Sequence, residues 1–81
     1  MINEENLKEV IEAIDNRDLL NVMNAEWDEV AIILNVFNSG FYVEIETTEN
    51  YDEDQRNELI NDGNLIIDKE ELTRLINELA K

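Results

Sequence analysis

The sequence contains no cysteine, no histidine and no proline, and only two glycines in 81 residues. Disulfide staples, Cys/His zinc sites, thiol nucleophiles and imidazole bases are therefore excluded together. Positive charge is scarce: six Lys and Arg stand against 21 Asp and Glu, for a formal net charge of −15. DNA and RNA are bound largely through Lys and Arg on phosphates, so direct contact with nucleic acid is not expected. Long apolar runs are missing too. The longest are Val30–Leu34 and Leu65–Ile67, far short of the roughly 20 residues a membrane helix needs. The start, Met-Ile-Asn-Glu-Glu, lacks the basic and apolar regions of a signal peptide, so a cytoplasmic location is expected.

What is present is 43% hydrophobic residues with few breakers, the composition of a globular chain and not of a disordered one. The length fits one small domain spanning residues 1–81. Its charge is unevenly spread. Residues 18–55 carry ten acids and no base, about two-thirds of the net charge, while the flanking segments are close to balanced. The chain has twelve Asn and ten Ile but three Lys. A coding bias that favours Asn favours Lys as well, so positive charge has been kept out. Solubility alone needs a net charge of magnitude ~2–8 in a small domain, well below what is found.

Local patterns predict an α+β fold in the order α-βββ-α-α. Leu7, Val10, Ile11 and Ile14 form one apolar stripe, giving a helix from Glu4 to Asn16 with Asn3 as cap and Ile2 stapled to Leu7. Leu20 and Val22 alternate with polar neighbours and suggest a short first strand, followed by a loop from Ala25 to Asp28 that holds Trp27. Val30–Phe37 is apolar on both faces except at Asn35, as suits a central strand. Asn38-Ser39-Gly40 supplies a hairpin turn, and Phe41, Val43 and Ile45 then alternate with Tyr42, Glu44 and Glu46. A three-stranded antiparallel meander packed by helices is the simplest arrangement. Asn50 with Glu53 predicts a capping box for a helix ending near Asn61, with Gly63 at its C′ position. Asp68 with Glu71 predicts another for a last helix carrying Leu72, Leu75, Ile76 and Leu79.

Catalytic and metal chemistry find little purchase. Asn61–Leu72 looks like half of a calcium-binding loop, which needs Gly at position 6 and Glu at position 12. With Gly63 at position 6, Lys69 falls at position 12; with Glu71 at position 12, Leu65 falls where Gly is required. Neither register works. Asp52-Glu53-Asp54 offers carboxylates to a divalent ion, but acids in a first helical turn are favourable without one. Glu44 and Glu46 lie roughly 6–7 Å apart on one strand face, within the range of acid–base pairs, yet a strand face offers no cleft to hold a substrate. No enzyme activity, metal or cofactor is expected.

A surface dense in fixed carboxylates and bare of cations imitates nucleic acid. It suits a groove built for phosphates, so the expected partner is a basic nucleic-acid-binding protein. The order of elements and several local strings support this. The chain resembles the small acidic prophage anti-CRISPR proteins that inhibit type II-A Cas9 effectors, over roughly residues 7–50. The resemblance rests on Ile14-Asp15-Asn16-Arg17-Asp18 after a first helix and on the apolar strand Ile32-Ile33-Leu34-Asn35-Val36 before a Gly-containing turn. It continues through Tyr42-Val43 with Glu44 and Glu46, and through Glu49-Asn50 before a helix. It implies an inhibitor in a bacterial host that sets carboxylates against the arginines with which Cas9 reads the short motif flanking its target. Glu44, Glu46, Glu49 and Asp18 are the positions it carries over. The chain departs from that family in having the uncharged turn Asn38-Ser39-Gly40 and only Asp62 between its last two helices. It has further acids instead at Asp52, Glu53 and Asp54 and at Glu26, Asp28 and Glu29. The expected binding set is therefore Glu44, Glu46, Glu49, Asp52, Glu53, Asp54, Glu26, Asp28 and Glu29, with Tyr42 or Trp27 as an apolar anchor.

Two other classes fit the same sequence. An immunity protein or antitoxin that plugs a basic nuclease uses the same physics. An acidic protein–protein adaptor would instead expose an apolar patch, expected at Ala31, Ile33 and Tyr42 with Trp27 nearby.

Overall fold

The longest strand is the middle of the sheet. In a computed structural model of the chain, which describes residues 1–79, β1 (Glu29–Phe37) pairs antiparallel with β2 (Gly40–Thr47) on one side and with β3 (Leu65–Asp68) on the other. The strand order is β2-β1-β3. The helices are α1 (Leu7–Glu12), α2 (Asn16–Asn24), α3 (Glu53–Asn61) and α4 (Lys69–Leu79). The fold is α+β with a three-stranded antiparallel sheet, and β1 is central, as its two apolar faces predict. No helix is long and apolar enough to cross a membrane among the described residues.

The structure differs from expectation in four places. Leu20–Val22 lies within α2, not in a strand. Leu19 is half-buried and Val22 buried while Leu20 is 62% exposed, so burial follows helical spacing and not alternation. The first helix is shortened at both ends to α1. Residues 4–6 form a turn, in which the Asn3 and Asn6 side chains each accept from the other's backbone amide, so the helix begins at Leu7 and not Glu4. At its other end Asp15 adopts an extended backbone and its side chain accepts from the Arg17 N–H at 2.8 Å, starting α2. The third strand is Leu65–Asp68, whose apolar residues complete the second edge of β1, so the sheet is not a meander. Finally, the capping box of α3 joins Asp52 and Gln55, not Asn50 and Glu53.

Register sorts the side chains. Val30, Ile32 and Leu34 share a face with Val43, Ile45, Leu65 and Ile67. This face packs with Val10, Ile11, Ile14, Val22 and Leu72 into one core, joined by Ile2. Ile32 and Leu72 are fully buried, each contributing about 1.5–3 kcal/mol by transfer from water. Lys69 Nζ donates to the carbonyls of Ala25 and, at 3.4 Å, Met23, closing the C-terminal end of α2. At the end of α3, the Asn64 and Gly63 amides donate to the Leu59 and Ile60 carbonyls, each at 3.0 Å, with Gly63 at φ +86°. This left-handed cap turns the chain into β3.

Candidate protein-binding surface

The opposite sheet face carries Glu29, Ala31, Ile33, Asn35 and Phe37 of β1 beside Tyr42, Glu44 and Glu46 of β2. Alternation places both β2 acids outward, because Val43 and Ile45 fill the core. Glu44 accepts from Asn35 Nδ2 at 2.7 Å, and Glu46 accepts from the Tyr51 hydroxyl. Tyr42 stacks on Phe37 with ring centroids 5.3 Å apart. The Glu44 charge raises the Tyr42 hydroxyl pKa from its usual 10.0, with smaller contributions from desolvation and hydrogen bonding to Glu44.

At the Glu29 end of the sheet, one polar chain gathers three segments. Trp27 Nε1 donates to Thr48 Oγ1 at 3.0 Å, Thr48 donates to Glu29 Oε1 at 2.7 Å, and Arg56 donates to Glu29 Oε2 at 3.0 Å. Thr48 is buried but fully satisfied. The chain fastens the loop 25–28, the end of β2 and the helix α3 to each other. The acids of that loop therefore lie at the same end of the fold as those that follow β2. Glu26, Asp28, Glu49, Glu53 and Asp54 are all exposed there. Glu26, Trp27, Asp28, Glu29 and Arg56 line a shallow groove of about 310 Å³. Asp18 and Glu46 both line a second groove, along α2 and β2, of about 290 Å³.

The expected binding residues are thus brought together unequally. Glu44 and Glu46 point from one strand face, and Glu26, Asp28, Glu49, Glu53 and Asp54 crowd the adjoining end. Two are already committed within the fold: Glu29 pairs with Arg56, and Asp52 caps α3 by accepting from the Gln55 amide at 2.8 Å. Among the described residues, Glu29 is the one acid of residues 18–55 in an ion pair; the others are Lys8–Glu12, Arg74–Glu71 and Arg74–Glu78. Nor do three acidic side chains, Asp52–Asp54 included, converge on a point where an ion could sit among the described residues.

The apolar patch expected at Ala31, Ile33, Tyr42 and Trp27 does not assemble. Ala31 is fully buried, between Glu29 and Ile33 on the face that Tyr51 and Arg56 cross to reach Glu46 and Glu29. Trp27 is tethered to Thr48 at the Glu29 end, whereas Tyr42 lies toward the hairpin tip. Four exposed apolar residues cluster instead at that tip: Val36 is 69% exposed, Phe37 55%, Phe41 44% and Tyr42 47%. The apolar pattern of Val30–Phe37 and the alternation from Phe41 predict these residues to be covered; their proximity to the Asn38-Ser39-Gly40 turn is the one signal in the sequence that they lie at an open end.

Comparison with family models, curated proteins and solved structures finds no match for the chain.

Proposed function

We propose that this protein is a phage-encoded anti-CRISPR inhibitor that acts without catalysis, as a DNA mimic occupying the DNA-binding groove of a CRISPR effector nuclease. Cas9, at the site that reads the short motif flanking its target, is the effector to which the sequence resemblance points. The observation that carries the proposal is the display of exposed carboxylates at Glu44 and Glu46 on the strand face and at Glu49, Glu53, Asp54, Glu26 and Asp28 at the adjoining end. These side chains are exposed and have no cationic partner among the described residues. Strand alternation spaces Glu44 and Glu46 roughly 7 Å apart, comparable to successive phosphates of one DNA strand. Fixed negative charge of this kind speeds encounter with a basic groove and sets orientation, and DNA is then excluded by occupancy.

The test is capture of guide-loaded Cas9 effectors by the tagged protein, with and without target DNA bound beforehand. Capture that is lost when DNA is already in place is the expected result. Capture unchanged by bound DNA, or no capture of any effector in the panel, overturns the proposal.

A further inference from the structure

Residues 30–43 contain no charged side chain in a chain of net charge −15. The structure turns this stretch into the hairpin of β1 and β2, whose outer half extends past the last β3 pairing at Ile32. There, Val36 and Phe41 face the α1 side while Phe37 and Tyr42 stack on the other. Between α1 and the hairpin end runs a groove of about 380 Å³ lined by Val10, Leu34, Val36, Phe37 and Phe41, with Glu9 among its polar residues. Lys8, the cation of α1, is turned toward Glu12 at 4.0 Å, and among the described residues Glu9 is in no ion pair.

We infer that this groove seats an apolar side chain presented by a basic protein. Volume and lining suit one aliphatic or aromatic group. Charge decides whose group it is. A second copy would bring −15 against −15, whereas a partner with Arg or Lys beside its apolar knob meets the Glu9 carboxylate at the groove and a molecule of strongly negative net charge. The apolar seat supplies affinity that salt does not screen, beside acids whose contribution salt weakens. This inference shares with the proposed function only the sign of the partner's charge, and it adds a contact that phosphate mimicry does not provide.

The test needs no effector. The isotopically labelled full chain is titrated, at about 150 mM salt, with the peptide acetyl-Arg-Arg-Leu-Arg-Arg-amide and with its counterpart carrying Ser in place of Leu. The Leu peptide is expected to bind about tenfold tighter and to move the amide signals of Val10, Leu34, Val36 and Phe41. Phe41→Ser and, at the more exposed position, Val36→Ser are each expected to erase the difference. Equal binding of the two peptides overturns the inference. So does sedimentation as a dimer that Val36→Ser converts to a monomer, which would assign the groove to a second copy. Failure to capture any Cas effector overturns the proposed function and leaves this result standing.

Discussion

Arg56 of α3 donates to Glu29 of β1 at 3.0 Å, while the other Glu29 oxygen accepts from the buried Thr48 hydroxyl. Glu29 is therefore a fold residue before it is a surface carboxylate. Replacing it with Ala leaves a buried hydroxyl without its acceptor, a loss of about 1–3 kcal/mol. Glu53→Ala, at an exposed position, should stay within about 0.5 kcal/mol of wild type. Urea unfolding followed by the fluorescence of Trp27, which donates to the same Thr48, measures both. Equal stability of wild type and Glu29→Ala would contradict the network.

Gly63 ties the N-terminus to the end of α3. Its φ is +86°, its carbonyl accepts from the Ile2 amide at 2.7 Å, and an added Cβ would lie 2.9 Å from Met1 Cα. Gly63→Ala combines left-handed backbone cost with a clash against main chain, so a loss of at least about 1–2 kcal/mol is expected. A melting temperature unchanged in this variant would refute the arrangement.

Much of this architecture was legible in the chain. Val30–Phe37, the turn Asn38-Ser39-Gly40 and the alternation through Glu46 mark the hairpin because pattern and turn chemistry agree. The Schellman glycine Gly63 and the cap Asp68, which accepts from the Glu71 amide at 2.7 Å, are equally local. What failed depends on distant partners. Leu65–Ile67 is too short to declare itself a strand until β1 offers an open edge. Leu20 and Val22 imitate alternation, although Asp15 with Asp18 three residues on was a visible helix-start signal. Likewise the acids could be listed from the sequence, but not sorted. Arg56 claims Glu29 across 27 residues, and no local pattern announces that pair.

The Tyr42 hydroxyl reports on Glu44. In a Tyr51→Phe background, ultraviolet titration should place the Tyr42 phenol above its usual 10.0, and Glu44→Gln should return it toward that value. Between the usual and the raised value, the folded chain keeps a proton that the unfolded chain has released. Stability attributable to this group therefore falls as pH rises through that interval. Identical titration curves with and without the Glu44 charge would place the two side chains apart.

A chain at −15 repels itself in the folded state. Added monovalent salt screens that repulsion, so the melting temperature should rise between low salt and about 0.15 M. A melting temperature that falls over this range would mean that attractive ion pairs, and not repulsion, dominate the surface.

In the proposed DNA mimicry, Glu44 and Glu46 on the strand face and the acids of the adjoining end compete with DNA for a basic groove. Exposed ion pairs contribute only about 0.2–1 kcal/mol each, so Glu44→Lys or Glu46→Lys alone should weaken binding modestly. The most direct measurement is inhibition of target-DNA binding by guide-loaded Cas9, comparing wild type with the double variant Glu44→Lys/Glu46→Lys, whose fold is checked by circular dichroism and melting. Wild type is expected to compete with DNA, and the folded double variant is expected not to. Inhibition by the folded double variant as strong as by wild type would overturn the proposed mimicry.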